Sequence, residues 1–475
     1  MEARRRASRY DVRMGMCGEP KVRSTALVLV VLVAAVASGC GDDTTGPPPL
    51  APLAGGGVEG AALAGSIDVH VIASYDDAPI AGATVTVADP SGAILASGAS
   101  DATGHVRLDA PAIETRASVT VASAGFVAST WYGVEGDHVT VPLVAPDRDE
   151  PSTRVSGTIS GWSSLPSIAA GHYLLAVVEG SHADAVGVGP RAPIDLRTAL
   201  PSSVCMTTAS APACSWSMSV RAGLQAHYAV IVDADPVGTA SRDDDTFTVI
   251  GFALATGVSV DPGVEVTGEV LEVLLPADIA SITVDFPPLP TGFAGVIGVP
   301  GLAAGDQGVL VFPRGAIPRS PVASVPKATG VLSGAVTWLL ASAQKGDAAN
   351  GAEATSIVRP ITDPSATIAP PPYPLTPDVA ASGTEVAIGA GSGARLHLLG
   401  IEDASGRLAW TGVVLGAPPS VMLPMAPAAT LPTGSIRLIA TEVTTSATVS
   451  PAAVELRAAR VGVTALGRTW VTSSL

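Results

Sequence analysis

Between residues 66 and 144 apolar and polar positions alternate with a period of two. Ile67, Val69, Val71 and Ala73 interleave with Asp68, His70, Ile72 and Ser74, the pattern of a strand with one buried face. Shorter alternations recur at Val85/Val87, Val106/Leu108, Val119/Val121 and Val139/Val141/Leu143. Turn residues separate them at Ser91-Gly92, Thr103-Gly104, Ala124-Gly125 and Gly136-Asp137. About seven short strands in roughly 80 residues predict a small sandwich. His70 and His105 fall on the polar side of their strands and are expected at the surface.

The rest of the chain follows the same grammar less regularly. A charged run, APDRDEP at 145–151, separates a second β-rich region, 152–276, with strands expected near 172–178, 217–220, 227–232, 246–252 and 264–274. A third, 277–368, opens on Ile282, Val284 and Phe286 and continues through apolar runs at 309–312 and 336–341 to a return strand near Ile357. Whether 152–368 is one domain or two is open at this point. Pro370, Pro371, Pro372, Pro374 and Pro377 make 369–377 a stiff extended linker. In the last region, 378–475, runs at 395–402 and 407–415 flank Asp403-Ala404-Ser405-Gly406, a hairpin signal. Gly and Pro together number 91 and aromatics are 4% of the chain. The expected fold class is therefore all-β: tandem β-sandwich domains.

Two of the β-rich stretches resemble known families. The runs Ala78-Pro79-Ile80-Ala81-Gly82-Ala83-Thr84-Val85, Ser100-Asp101-Ala102-Thr103-Gly104-His105-Val106 and Val121-Ala122-Ser123-Ala124-Gly125-Phe126 resemble three elements of carboxypeptidase regulatory-like domains. That resemblance covers 66–144. It implies a transthyretin-like sandwich of seven strands that serves as an accessory or spacer module without catalysis. The segment 378–475 resembles fibronectin type III and similar immunoglobulin-like sandwiches in a general way, with Trp410 as a core residue.

The N-terminus carries the strongest functional signal. Lys21 and Arg23 precede an apolar run at 25–37, which ends in Ala37-Ser38-Gly39-Cys40. A charged segment, a short apolar segment and small residues form a secretory signal. The run has 13 residues, whereas a bilayer-spanning helix needs about 20. The signal is expected over 1–39, with 14–39 as its working part and Met14 or Met16 as the start. Residues 37–40 resemble the lipobox of bacterial lipoproteins, with Ala37 where that family usually has Leu. The resemblance implies cleavage before Cys40, a diacylglyceryl thioether on its sulfur and a further acyl group such as palmitate on its amine. At about 0.8 kcal/mol per buried CH₂, two or more chains anchor stably. Gly41 rather than Asp after the cysteine implies outer-membrane sorting in the cell envelope. Residues 40–65, rich in Gly and Pro, are expected as a tether reaching about 25–30 Å.

Charge narrows the partners. Of 26 basic and 42 acidic residues, 7 and 3 leave with the signal, so the mature chain holds 19 and 39, a net charge of −20. Such a chain repels phosphate backbones, so no nucleic-acid partner is expected. The expected partners are the membrane, through the lipid, and surface proteins or glycans.

Candidate chemistry is sparse. Cys205 and Cys214, nine positions apart in an exported chain, are expected to form a disulfide that closes a surface loop. No His-Glu-x-x-His, Gly-x-Ser-x-Gly or phosphate loop is present. The best metal candidate is Asp233, Asp235, Asp243, Asp244 and Asp245. Carboxylates at alternate positions with a turn glycine, Gly238, suit a hard cation such as Ca²⁺. Val237 at the fifth position and no Glu at the twelfth depart from the EF-hand pattern; otherwise no cofactor is expected. The reading that follows is a non-enzymatic, lipid-anchored envelope protein whose β-sandwich modules serve adhesion, envelope organisation or ligand binding. The alternative is an envelope hydrolase with a catalytic centre in 152–368.

Overall fold

The computed structural model describes residues 50–474 except 75, 146–151, 183–201, 209–211, 237–245, 304–308, 312–321, 348, 390–394 and 426–428. Across these residues the protein is all-β, and its single described α-helix is the short Leu456–Val461.

The alternation at 67–73 becomes the strand Ser66–Ala73, with Ile67, Val69 and Val71 fully buried. Seven strands lie between 66 and 144, as the sequence pattern implies. They divide between two sheets. Ser66–Ala73 lies between His105–Asp109 and Gly136–Leu143 in one; Thr84–Ala88, Ile94–Ala99, Ala117–Ala122 and Ala128–Val134 form part of the other. The turns at 89–93, 101–105 and 403–407 share one device. The aspartate accepts hydrogen bonds from the amide and hydroxyl two residues on, at 2.8 and 2.6 Å, and from the amide four residues on, at 3.0 Å. Hydroxyl and amide donors around each carboxylate favour its ionised form and hold its pKa down. Gly104 closes one such turn at φ 74°, and a Cβ there would strike the Val71 carbonyl.

The second sheet does not stop at residue 144. Ala128–Val134 pairs in parallel with Leu408–Leu415, and the sheet continues through Leu396–Glu402, Ser435–Thr445, Val463–Ser474, Gly351–Val358, Val336–Gly346 and Ala294–Ala303 to Val309–Val311, twelve strands in all. Its cores are shared accordingly. Val69, Val85, Val119 and Val141 pack in one apolar cluster with Leu398, Val413, Val443 and Leu466. Tyr228, Val230 and Phe252 pack with Ile282, Leu302, Val325 and Leu339 in another.

The seven-stranded sheet runs Ser202–Thr207, Tyr173–His182, Gly223–Asp235, Thr246–Val260, Val266–Val273, Ser152–Ser160 and Cys214–Arg221. The Cys205–Cys214 disulfide joins its first and last strands. The sheet therefore curls on itself around Val155, Ala176, Trp216, Ile231, Ala253 and Leu271. The bridge does more than close a surface loop: it ties two sheet edges together. Replacing Cys205 and Cys214 with serine is expected to lower unfolding free energy by about 2–3 kcal/mol, the entropic value for so short a loop. Denaturant midpoints of the oxidised protein and the double variant measure it.

Two expectations about connecting segments change. The tether does not extend to residue 65. Gly57–Ala62 is a strand, paired antiparallel to Gly136–Leu143 on one side and Val454–Glu455 on the other. Partners on both edges and a buried Val58 give this glycine-rich segment its order. The proline run is no isolated spacer either. The Leu375 carbonyl lies against Gly467 and leaves no room there for a side chain.

Candidate functional sites

Cys40, the expected lipid site, lies outside the described residues, as do Asp243, Asp244 and Asp245. Asp233 and Asp235, two positions apart on the strand Gly223–Asp235, both face His172. Its Nδ1 is 2.8 Å from Asp233 Oδ1, and its Nε2 is 3.3 Å from Asp235 Oδ1. Among the described residues no group of three His, Cys, Asp or Glu side chains is arranged to hold a metal ion.

Histidine–carboxylate pairing recurs through the molecule. His227 is fully buried inside the curled sheet, with Nδ1 2.8 Å from Glu269 Oε2 and its ring edge-on to Trp216. On the opposite face of the same strand, the Tyr228 hydroxyl donates to Glu179 Oε2 at 3.0 Å. Burial pushes the Glu179 carboxyl up to about 7, with the Tyr228 hydrogen bond opposing. His397 and Glu442 are register partners on adjacent strands, both buried. Burial lowers the His397 pKa, with the Glu442 charge opposing. Arg437 makes a buried-side ion pair with Glu402.

The densest cluster lies on the outer face of the five-stranded sheet. His70 is opposite His105 across two antiparallel strands, and His138 comes from the parallel neighbour on the other side. The His70 ring centroid is 4.7 Å from that of His105 and 5.0 Å from that of His138. Asp68 accepts from His105 Nε2 at 2.8 Å and from Arg107 at 2.8 Å, while His138 Nδ1 is 3.1 Å from Glu59 Oε1. His105 keeps partial exposure, but His70 is only 6% exposed, and a hydrogen bond to the Leu50 backbone favours its charged form against the burial. The surface expectation for His70 is thus corrected. The segment leading into Gly57–Ala62 covers this face: the Leu53 amide donates to Thr140 Oγ1 at 2.9 Å, and the Leu50 backbone sits beside the His70 ring. Local alternation places all three histidines on one side of their strands, but it does not disclose which strands are neighbours or what lies over them.

An apolar cavity of about 60 Å³ lies where the first and last segments meet, lined by Trp131, Leu398, Val413, Val443, Leu456 and Ser129 among others. Trp131 and Tyr132 are buried and unavailable for glycan stacking. No described helix is long and apolar enough to cross a membrane.

No family model matches the chain, and no curated relative matches it. Among solved structures it is similar to the Bacillus anthracis TIE protein, at 10% identity over 61% of this chain and 46% of that one, with a TM-score of 0.16. The chain thus spans about half that protein's length. It is also similar to the shaft pilin spaA of Lactobacillus rhamnosus GG, at 11% identity over 44% of this chain and 98% of that one, TM-score 0.14. A third similarity is to a tetra-tandem repeat from the extending region of a large adhesion protein, at 10% identity over 86% of this chain and 99% of the repeat, TM-score 0.14. Likenesses of this size leave the family open.

Proposed function

We propose that the chain is a lipid-anchored cell-envelope protein whose non-catalytic β-sandwich body presents binding surface to a surface protein or a glycan. The observation that carries this reading is Ala37-Ser38-Gly39-Cys40 at the end of a 13-residue apolar run. Acylation of Cys40 would fix the N-terminus in the membrane, most favourably the outer membrane, and leave 41–56 as the connection to the first strand. Support for a binding rather than catalytic role comes from the buried ionisable groups. Glu179 and His227 are held by partners inside packed apolar clusters, where a substrate would have to displace core side chains. The accessory role implied by the resemblance at 66–144 agrees with this reading.

The test is expression of the full chain and of Cys40→Ala in a Gram-negative host. The native chain is expected in the outer-membrane fraction with a triacylated N-terminal Cys40 by mass spectrometry, and the variant in the soluble fraction. An unmodified native chain in the soluble fraction would overturn the anchor.

A further inference from the structure

The segment 50–56 lies over the His70–Thr140 part of the face described above. Its hold is polar. The Leu53 amide donates to Thr140 Oγ1 at 2.9 Å, the Gly55 amide to Asp77 Oδ1 at 3.0 Å, and the Leu456 amide to the Gly56 carbonyl at 3.0 Å. Leu50 is half exposed, so little apolar burial secures the start of the segment. Beneath its start, the buried His70 ring stands in contact with His105 and His138 from the strands on either side, and meets the Leu50 backbone of the segment.

Charged side chains surround this cluster on the sheet and at its cover. Asp68 shares the His70 strand, Arg107 and His105 come from the strand on one side, and His138 comes from the other. Glu59 approaches His138 from the next strand out. Asp77, paired with Arg457, sits at the far end of the covering segment. Protonation of His70 would place an imidazolium between the rings of His105 and His138, on a face that also carries the Arg107 guanidinium and the carboxylates of Asp68, Glu59 and Asp109. Neutral imidazoles can remain buried in contact; adjacent imidazoliums under a low-dielectric cover repel and demand water.

We propose that segment 50–56 is an acid-released strap: it stays closed over His70 while that imidazole is neutral and lifts when it takes up a proton. The sign follows from linkage. Burial first, and then the neighbouring His105 and His138, lower the His70 pKa below its ordinary 6.5, outweighing the Leu50 backbone hydrogen bond and the Asp68 charge that favour protonation. The closed state therefore binds fewer protons than the open one as pH falls below that value, and it loses stability there. Opening lets water solvate the rings and screen their mutual repulsion. The strap responds whether or not Cys40 carries lipid, so this inference stands apart from the anchor.

Hydrogen exchange of the full mature chain, corrected for intrinsic rates, provides the test. Protection at the Leu53 and Gly55 amides is expected to fall about tenfold or more between about pH 7.5 and about pH 5, as a titrating imidazole requires. Amides of Ser66–Ala73 are expected to keep theirs. His70→Gln is expected to suppress the fall or move it to lower pH. His105→Gln, at a more exposed position, is expected to do the same to a smaller extent. Asp68→Asn removes a compensating charge and is expected to bring release at higher pH. Protection that does not change with pH, or a native-like profile in both histidine variants, would overturn the proposal.

Discussion

Trp410→Ala is expected to lower unfolding free energy by about 3–5 kcal/mol, the range for deleting a buried tryptophan. Trp410 is fully buried on Leu408–Leu415, its ring edge-on to Tyr132 at 6.2 Å, and its Nε1 donates to Thr130 Oγ1 at 3.0 Å. Both partners belong to Ala128–Val134, so the loss falls on the seam between the first and last segments. Its location gives the variant a second signature. Because Val69 and Leu466 share one core, residues 66–144 and 378–475 are expected to unfold in one transition. Denaturation followed by far-ultraviolet circular dichroism and by protease susceptibility of each segment checks this. Trp410→Phe, which keeps most of the volume, should recover much of the loss. Two well-separated transitions in the native chain would contradict a shared core.

The second large effect is a pH dependence that Glu179→Gln removes. The folded carboxyl titrates at about 7 against an ordinary 4.5. Between those values the folded state holds a proton that the unfolded state has released. Stability from this group is therefore fully present below about pH 4.5 and declines as pH rises towards 7. At 1.36 kcal/mol per pKa unit, the decline is on the order of 3 kcal/mol. Glutamine stays neutral throughout and can accept the Tyr228 hydrogen bond. The difference between native and variant denaturation midpoints is thus expected to grow in the variant's favour from about pH 5 to about pH 8. Parallel profiles would show that Glu179 is already ionised or solvated in the folded chain.

Local physics made much of the fold legible. Alternation at 67–73, 85–87, 119–121 and 139–143 identified half-buried strands because side-chain direction has a period of two. The Asp-x-Ser/Thr-Gly turns were legible because one carboxylate can satisfy three nearby donors. The Cys205–Cys214 pairing followed from cysteine count. Partnership between distant strands was not legible. Nothing in Ala-Ser-Thr-Trp-Tyr at 128–132 specifies the parallel neighbour at 410–414, since many apolar strands offer the same face. Gly57–Ala62 was invisible for a related reason: its sequence, GVEGAA, has neither alternation nor bulk, and its order comes from strands on both sides. The histidine cluster combined both failures. His70 and His105 were placed on the polar side of their strands and His138 was not singled out; the neighbours and the cover depended on tertiary structure.

The seam at Trp410 also sets a timetable for the nascent chain. Thr130 precedes Trp410 by 280 residues, on the order of 15–60 s of synthesis at about 5–20 residues/s. Throughout that interval Ala128–Val134 lacks its parallel neighbour, and Gly57–Ala62 lacks the Val454–Glu455 edge that later covers it. A ribosome delivers the N-terminal half first, yet that half cannot seal its sheets until the last hundred residues arrive. The unfinished chain therefore exposes strand edges of the kind that recruit holding chaperones or pair with other chains.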